Sequence, residues 1–441
     1  MDQTAQEVLQ VAEQAIQSKD YAKAIDLLDL LLAKAPQDVH LRYMISSIYS
    51  ELGKMGIAIS MLEQVVKDAP DHSQAWNNLG IAYKTAAQFD KAKEAYSKAL
   101  ELNYAPISLI NFSGLYINNG TPEEALRLTE KGLKLDPNSP QLRNHKSLAL
   151  LEMKRWKEGF SYYDSRFGLP AWSTRHYEGP YWKGERVKKL LIHGEQGLGD
   201  EVMFMSAMDR VKQRVDEVIL EATPKMLETF KYSFDCKAWA TEKEVKASGE
   251  TWDAWVAMGS LFNILGVERK GAFLKTPKVY PKGDKFRIGV SWRGGTVQTH
   301  EHLRNFRMDW WKPLMALNGE VEIVSLQYGP AEGMAEKFGI KHDGESIADI
   351  PTLMAMIQSC DLVISVCNTT VHLSGSLGVP CWVLVPDAPA WRYCSDDDKM
   401  LFYESVKLFR QNGLTWDNVI LKVVDNLANL GIVQGAEQAV A

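Results

Sequence analysis

Residues 76–99 have the sequence WNNLGIAYKTAAQFDKAKEAYSKA, and this pattern recurs at a fixed period along the first third of the chain. A small residue returns at steps of 34, 34 and 33 positions, at Ala24, Ala58, Ala92 and Ala125. An aromatic residue keeps nearly the same step, at Tyr49, Tyr83 and Tyr116. A period of this length is typical of units of two short helices. The sequence therefore predicts a stack of helix pairs.

The residues inside each period match a known repeat. One unit carries the whole pattern, at Trp76, Leu79, Gly80, Tyr83, Ala92, Tyr96 and Ala99, and prolines close three units, at Pro36, Pro70 and Pro137. This pattern resembles the tetratricopeptide repeat. Repeats are predicted to begin near residues 5, 39, 73 and 106, with a degenerate fifth from about 139 to 165, so that residues 1–165 form an α-solenoid. Such a solenoid leaves a concave surface that binds an extended peptide or a partner protein.

Three asparagines recur within the repeats at steps of 33 residues: Asn78, Asn111 and Asn144. A side-chain amide both donates and accepts, so a row of amides can hold the backbone of an extended chain without reading its sequence. The row resembles the asparagine ladder of the O-GlcNAc transferase superhelix, and we expect it to bind an acceptor peptide. The alternative is that these amides satisfy polar groups between neighbouring helices.

Length and charge limit the classes of protein. The 441 residues exceed the length at which one core stops growing, so two or three domains are expected. A net charge of −6 argues against a nucleic-acid binder that neutralises many phosphates. The start MDQTAQEV has no signal-peptide pattern and no later run approaches about 18 apolar residues, which predicts a cytoplasmic protein without a membrane span. The five cysteines have no ligand spacing, so they are expected to be reduced and no metal site is predicted.

The second part of the chain has a different composition, since 25 of the 31 glycines and 12 of the 13 tryptophans follow residue 150. Residues 166–186 lack periodicity and are interpreted as a connector. The apolar run 189–193 is followed by GEQGLGD at 194–200 and by a helical pattern over 201–214. Strand, glycine turn and helix together place backbone N–H groups against a ligand. The glycine spacing fits neither GxGxxG nor a P-loop. Further strands are expected at 217–221, 237–240 and 252–258, so residues 187–283 are predicted to form a small α/β lobe.

A second α/β lobe is predicted over residues 284–430, followed by a tail at 431–441. Its strands are expected at 287–292, 321–327, 361–366 and 381–385. The segment CNTTVHLSGSLGVP at 367–380 begins with good helix-start residues and ends in a glycine and a proline. A helix that starts with hydroxyls and free N–H groups suits a phosphate or pyrophosphate.

The motifs of this second lobe together carry a resemblance. The run 367–380, SWRGG at 291–295, LQYG at 326–329, 386–392 and SVKLFRQ at 405–411 resemble bacterial tetratricopeptide proteins with a heptosyltransferase-like glycosyltransferase module. The resemblance implies a GT-B fold, in which two Rossmann-like lobes face each other and the second lobe holds the donor nucleotide. It also implies an inverting enzyme that needs no metal or other cofactor.

Candidate site residues follow from the resemblance and from their positions. Asp200 matches the aspartate proposed as general base, which takes the proton of the acceptor hydroxyl; the alternative is a helix cap. The predicted donor-binding residues are Gly197, Gly199, Trp292, Arg293, Gln327, Asn368, Thr369, Thr370 and His372. Arg293 would neutralise the leaving phosphate, with Arg304 and Arg307 as rivals. The alternative for His372 is a buried structural histidine, and for Gln327 a polar strand end.

Three further features are ambiguous in the sequence. The family commonly has Asp-Thr where this chain has Cys367-Asn368, which removes a negative charge beside the nucleotide. Trp391 and Arg392 resemble a family motif, although Trp391 fits a packing role equally well. The acidic run 396–398 is interpreted as a solvated loop rather than a metal site.

The sequence thus predicts a protein O-glycosyltransferase that moves a sugar from a nucleotide donor to Ser/Thr of a protein acceptor. Similar bacterial proteins act in flagellin glycosylation, where nonulosonic sugars such as pseudaminic acid arrive as CMP conjugates, so flagellin is the expected acceptor. The alternatives are a lipopolysaccharide-type heptosyltransferase using ADP-heptose and a non-catalytic repeat adaptor with a decayed transferase module. An NAD-dependent oxidoreductase is the most distant alternative.

Overall fold

The computed structural model describes residues 3–170, 172, 175, 177–295, 305, 307–317, 319–328, 331–394 and 397–433. These residues form two compact units that divide between Ala149 and Leu150. The predicted boundary of the repeat domain lies later, at residue 165. The difference arises because the last helix of the predicted fifth repeat packs into the second unit, as described below.

The repeat region consists of successive helix pairs. Its helices among the described residues are α1 Gln3–Gln17, α2 Tyr21–Lys34, α3 Val39–Glu51, α4 Met55–Asp68, α5 Ser73–Thr85, α6 Phe89–Leu102, α7 Pro106–Asn118, α8 Pro122–Leu135, α9 Pro140–Glu152 and α10 Trp156–Tyr163. The predicted pairing and period are confirmed, since the first helix of each pair begins within two residues of its predicted start. Asp20 and Asp38 cap helices by accepting from the N–H groups of Lys23 and Leu41.

Close packing explains the small residues of the period. Ala58, Ala92 and Ala125 are fully buried. A Cβ at Gly80 would lie 2.6 Å from the ring of Tyr96, so only glycine fits where α5 crosses α6. Tyr96 in turn stacks on Phe112 of α7 and thereby joins two helix pairs.

The second unit contains two parallel sheets. The first has the strands β1 Val187–His193, β2 Val215–Glu221, β3 Lys237–Trp239 and β4 Ala254–Ala257 in the order β3-β2-β1-β4. The second has β5 Arg287–Ser291, β6 Glu322–Ser325, β7 Leu362–Val366, β8 Cys381–Val385 and β9 Val406–Arg410 in the order β6-β5-β7-β8-β9. Every paired neighbour is parallel. The predicted strands are present, and β9 adds one that the sequence analysis did not identify.

Helices accompany both sheets. Among the described residues they are α11 Leu198–Phe204, α12 Met208–Lys212, α13 Leu227–Phe234, α14 Glu242–Ala247, α15 Leu261–Leu265, α16 Lys312–Met315, α17 Glu332–Lys337, α18 Gly344–Ala348, α19 Ile350–Gln358, α20 Thr369–Ser376 and α21 Trp416–Asn429. The helix predicted over 201–214 is divided, because a 3-10 turn at Met205–Ala207 separates α11 from α12. The strands β5, β7 and β8 are buried along their whole length, as expected of a sheet covered on both faces.

Helix α10 and the 3-10 turn Asp164–Gly168 belong to the second unit. The ring of Phe160 contacts Phe262 and Trp391 edge to face. The guanidinium of Arg166, 1% exposed, donates to Glu195 with N–O distances of 2.8 and 2.5 Å and to Ser260 at 3.1 Å. This buried ion pair fastens the predicted connector to the loop that follows β1.

Candidate functional site

The candidate site lies at the carboxyl ends of the two sheets. In each parallel sheet the strand order reverses at one point, between β1 and β4 and between β5 and β7. Ligands of open α/β sheets bind in the crevice outside the strand ends at such points. The segments that leave these strands are 194–200 after β1, 292–295 after β5 and 367–368 after β7. They contain six of the ten predicted catalytic and donor-binding residues.

A cavity of about 570 Å³ opens in the second unit and is lined from both sheets. Leu198 and Lys225 belong to the first lobe, and Gln327, Tyr328 and Thr369 to the second. The rest of the described lining is Gly344, Ile347, Ala348, Ile350 and Leu353. The volume is in the range of small-molecule sites, and the mostly apolar wall with a few polar groups is typical of them. Gln327 and Thr369 are therefore the predicted site residues that the structure places at this cavity.

Lys225 was not identified from the sequence. It follows β2 in the 3-10 turn Pro224–Met226, and it is the one charged side chain among the described lining residues. Its ammonium makes no ion pair with any described residue. Its position in the sequence could have indicated a site residue, because it lies four residues after the end of the parallel strand β2. That strand ends at the same edge of the sheet as β1, which is followed by residues 194–200. An exposed, unpaired cation there favours an anionic ligand.

Asp200 lies in the first turn of α11, two residues after the cavity residue Leu198. Its carboxylate forms an ion pair with Arg392, which belongs to the 3-10 turn Trp391–Tyr393 of the second lobe. The two side chains are 20% and 18% exposed. The pair therefore bridges the lobes and leaves part of the carboxylate open to solvent.

The two predicted glycines of this loop have different surroundings. Gly197 precedes α11, and a Cβ there would approach Asp200 Oδ2 at 3.4 Å, an ordinary contact. A Cβ at Gly199 would lie 2.9 Å from Cδ2 of His372, closer than real Cβ contacts allow. Gly199 thus lets α11 and α20 approach each other. Its direct role in the structure is lobe packing rather than donor contact.

His372 is a buried histidine, 4% exposed, as the alternative interpretation proposed. Its Nδ1 lies 3.0 Å from the hydroxyl of Tyr403. Burial, with a smaller effect of the nearby Arg392 charge, lowers the pKa of His372 to about 3. The imidazole is therefore neutral near pH 7. The prediction that it contacts the donor does not fit its enclosure between α11 and Tyr403.

The amide of Asn368 is fully used inside the protein. Its nitrogen donates to Ser291 Oγ at 2.7 Å and to the carbonyl oxygen of Arg293 at 2.9 Å. Its oxygen accepts from Ser365 Oγ at 3.0 Å and from the N–H of Thr370 at 2.9 Å. These four bonds satisfy the whole capacity of a side-chain amide. The residue therefore positions the ends of β5 and β7 and caps α20, and direct donor binding by Asn368 stays a prediction.

Gln327 holds the turn that follows β5. Its Oε1 accepts from the backbone N–H groups of Trp292 at 2.9 Å and Arg293 at 2.8 Å. Trp292 has no exposed surface and packs in the core of the second lobe, so its side chain is not open to a ligand there; its contact with the donor stays a prediction. The Arg293 side chain is exposed and makes no ion pair with a described residue. It stays available for the predicted role at a phosphate.

The two threonines at the start of α20 differ. Thr369 is half-buried and lines the cavity. Thr370 has no exposed surface, and its hydroxyl has no hydrogen-bond partner among the described residues. A ligand in the cavity can reach Thr369, whereas the enclosed Thr370 hydroxyl is not open to it.

The remaining candidates near the site have the following positions. Arg304 and Asp396 lie outside the described residues. Arg307 is exposed and lies 3.9 Å from Asp309. Trp391 is 5% exposed and packs against aromatic rings.

In the acidic run, Asp397 pairs with Arg269 and Asp398 with Lys407, and both carboxylates are exposed. The described residues contain no group of three or more His, Cys, Asp or Glu arranged around a metal position.

A buried carboxyl group lies beside Asp200. Glu201 is 3% exposed and accepts hydrogen bonds from the N–H and the hydroxyl of Thr223, the latter at 2.8 Å. Burial raises the pKa of Glu201 to about 7, against the opposing effect of these bonds. Glu221, also buried, accepts from Arg175 and Tyr177 nearby. The first lobe thus contains a carboxyl group that changes charge near neutral pH.

The three asparagines of the repeats are each half-buried. Asn78 donates to Tyr43 Oη at 3.0 Å and Ser47 Oγ at 3.4 Å. Asn111 donates to Asn77 Oδ1 at 3.1 Å. For Asn144 the described residues offer no hydrogen-bond partner. Asn78 and Asn111 therefore link neighbouring helix pairs, in agreement with the alternative interpretation, and binding of an acceptor peptide stays a prediction.

Among the described residues, none of the helices combines the length and the apolar character required to cross a bilayer.

Models of the tetratricopeptide repeat match residues 15–77 and 73–103. The protein therefore contains tetratricopeptide repeats, followed by a region with two parallel sheets.

The protein is similar to Protein FlbA of Caulobacter vibrioides, with 26% identity over 427 residues that span 85% of this chain and 70% of FlbA. That span is longer than either unit alone, so the similarity reaches both units. Heat shock protein STI1 of Saccharomyces cerevisiae is 35% identical over 104 residues, 23% of this chain and 18% of STI1. The crystal structure of MamA aligns with 36% of this chain and 93% of its own at 19% identity, with a TM-score of 0.34.

Proposed function

We propose that this protein is a glycosyltransferase of the GT-B type that transfers a sugar from a nucleotide donor to Ser or Thr of a protein acceptor. The observation that carries the proposal is the cavity of about 570 Å³ lined by strand-end residues of two parallel α/β lobes. Leu198 and Lys225 line it from one lobe and Gln327 and Thr369 from the other. This arrangement suits a reaction in which one lobe presents the acceptor and the other holds the nucleotide.

The donor is proposed to lie against the second lobe. The start of α20, with Thr369 at the cavity, offers N–H groups and a hydroxyl to a phosphate. The apolar residues Ile347, Ile350 and Leu353 offer a surface for a base. Lys225 and Arg293 supply positive charge. CMP-linked nonulosonic acids such as pseudaminic acid are the proposed donors, since few cations surround the cavity and a monophosphate conjugate needs fewer than a diphosphate.

The reaction needs a base, and Asp200 is proposed for it. As the hydroxyl oxygen of the acceptor forms a bond to the anomeric carbon, the bond from that carbon to the phosphate oxygen breaks. The electron pair leaves with the phosphate, and the hydroxyl proton moves to Asp200. Arg392, paired with Asp200, would orient the carboxylate. Lys225 or Arg293 would stabilise the charge that develops on the phosphate.

The repeats are proposed to recruit the acceptor protein, and flagellin is the proposed acceptor. The support for recruitment is the presence of tetratricopeptide repeats in the same chain, because stacked repeats bind extended segments of partner proteins. A protein of this kind would act in the cytoplasm on flagellin before export.

The proposal is tested by the intact mass of flagellin co-produced with this protein in cells that make CMP-linked nonulosonic acids. Wild type is expected to add the mass of the sugar. Asp200→Asn keeps the size of the side chain and should slow transfer by about 10²-fold or more, the range of general-base catalysis. Asp209→Asn is the control, since Asp209 is an exposed aspartate of the same lobe that pairs with Lys270. Equal rates for Asp200→Asn and wild type would remove Asp200 from this role.

A second candidate function is a non-catalytic repeat adaptor. It is favoured by Cys367, a buried thiol where the transferase family commonly has an aspartate, and by the saturated amide of Asn368. An adaptor would bind flagellin without any mass change and would show no thermal shift with CMP, UDP, GDP or ADP. A nucleotide-dependent shift together with added mass would exclude it.

A further inference from the structure

The first of the two compact units, called the repeat unit from here on, contains a second cavity of about 540 Å³ that is lined by residues of α1, α2, α3 and α5. Its wall is largely apolar, with Ile16, Met44, Ile48 and Ile81 among its members. Polar groups at its edge include Tyr43, Ser47 and Asn78. Glu51 also lines it and is exposed, so the cavity suits an apolar side chain and disfavours a carboxylate.

A lysine without a counter-ion lies one turn further along α5. Lys84 is three residues after the cavity residue Ile81, and side chains at this spacing share a helix face. Lys84 is half-buried, and its ammonium makes neither an ion pair nor a hydrogen bond with any described residue. Burial lowers the pKa of its ammonium from the ordinary value. A cation that has lost part of its water without gaining a partner gains free energy when an anion arrives.

Gly114 provides the space for that anion. The ammonium of Lys84 lies 4.0 Å from the point where a Cβ of residue 114 would be, and Cε1 of His145 lies 3.3 Å from the same point. His145 is held by its Nδ1, 2.8 Å from Ser113 Oγ. Burial, with a further effect of Lys84, lowers the pKa of His145 to about 4, so the ring is neutral near pH 7 and Lys84 carries the charge alone. The site therefore joins α5, α7 and α9, the first helices of three successive pairs.

We propose that the repeat unit binds an extended peptide that places an apolar side chain in the cavity beside Asn78 and an aspartate or glutamate carboxylate on Lys84, over Gly114. The charges of Lys84 and Glu51 favour a peptide with an acidic residue at the Lys84 end and an apolar residue at the cavity. Lys84 is unpaired at one end of the path, whereas Glu51 keeps acidic groups away from the cavity at the other. Asn111 precedes Gly114 by three residues and so shares its face of α7; its amide nitrogen donates to Asn77, and its amide oxygen can accept from the peptide backbone. This inference does not depend on the transferase activity.

The test measures fluorescence anisotropy of labelled peptides with the full chain. The probes are amidated nine-residue Ser/Ala peptides with one Leu and one Asp separated by one to five residues, so that the side chain is the only carboxylate. At the best spacing, Asp→Asn in the peptide and Lys84→Met in the protein are each expected to weaken binding about 10-fold. Combining the two changes should cause no further loss, because both remove the same contact.

Lys93→Met is the matched control, since Lys93 is an exposed lysine on the neighbouring helix α6. It should bind every peptide as the wild type does, and circular dichroism should show the same helix content in both variants. A Leu→Ala peptide should bind more weakly to all three proteins. Equal affinity of wild type and Lys84→Met for the Asp peptide overturns the proposal. So does the absence of binding by the whole peptide set, or an equal preference for the Asn peptides.

Discussion

The side chain of Asn368 joins β5, β7 and α20 through four hydrogen bonds, three of them buried and one partly buried. Asn368→Ala is expected to lower the free energy of unfolding of the second unit by about 2–4 kcal/mol, because buried partners lose their bonds. Urea denaturation of the full chain measures this. The control is Asn263→Ala, an exposed helical asparagine without a hydrogen bond to a described residue, which should leave stability nearly unchanged. Similar stabilities for the two variants would contradict the assigned role.

Glu201 makes stability depend on pH in a defined direction. Its pKa is about 7 in the folded protein and about 4.5 when exposed, so the folded state holds the proton more tightly between these values. The neutral carboxyl group therefore makes its full contribution to the free energy of unfolding below about pH 4.5, and this contribution is lost as the pH rises through 7. Glutamine cannot lose a proton, so Glu201→Gln avoids this loss. Its free energy of unfolding relative to that of wild type should therefore increase by about 2–3 kcal/mol between pH 5 and pH 8.

The measurement is urea denaturation of both proteins at the two pH values. All other titrating groups are common to the pair, so they cancel in the difference. Glu228→Gln, which changes an exposed glutamate of the same lobe, should show the same difference from wild type at both pH values. A pH-independent difference for Glu201→Gln would mean that the carboxyl group is not protonated in the folded state.

At the scale of elements, the close contact of α11 with α20 is possible because residue 199 is a glycine and has no side chain. Gly199→Ala places a methyl group 2.9 Å from the buried ring of His372, which is held by Tyr403. We expect a loss of about 1–3 kcal/mol, as for other overpacked contacts. Gly197→Ala is the matched control two residues earlier, since its nearest neighbour lies at an ordinary 3.4 Å. Thermal unfolding of both variants tests this, and equal melting temperatures would refute the steric argument.

Elements were predicted well where one pattern decides them. The period of the repeats fixed the helix pairs, and buried apolar runs located eight of the nine strands. The strand β9 was missed because VKLFR at 406–410 mixes charged and apolar residues; the charged Lys407 and Arg410 are half-buried in this strand at the sheet edge. The α11–α12 break was missed because the apolar register of Val202, Met205 and Met208 continues through the 3-10 turn.

The candidate site was predicted less completely. Thr369 and Gln327 could be found because they follow strands, which places them at the sheet edge. The burial of Trp292 and Thr370 depends on the packing of the whole lobe. The saturation of Asn368 depends in part on Ser291 and Arg293, which are distant from it in sequence. Lys225 was missed because nothing near it in the sequence marks a site; its importance comes from the lobe that faces it.

At the scale of the whole molecule, two units in one chain predict two separable unfolding transitions. A nucleotide that binds in the second unit should raise the free energy of unfolding of that unit alone, by about 2.7 kcal/mol when its concentration is 100 times its Kd. Only the transition of that unit should then move to a higher temperature. Differential scanning calorimetry with CMP, UDP, GDP and ADP measures this, and the labelled peptides should raise the other transition. A nucleotide that shifts both transitions equally would show that the units unfold as one.

The burial of Arg166 also determines how this chain can be divided. A fragment that begins at residue 170 would leave Glu195 buried without its cation, and removing one partner of a buried ion pair costs about 3–5 kcal/mol. It would also expose Phe262 by removing Phe160. A stable fragment of the sheet region must therefore begin near residue 150 and keep α10. During synthesis α10 leaves the ribosome before β1, so its aromatic face stays exposed to solvent until the sheets form.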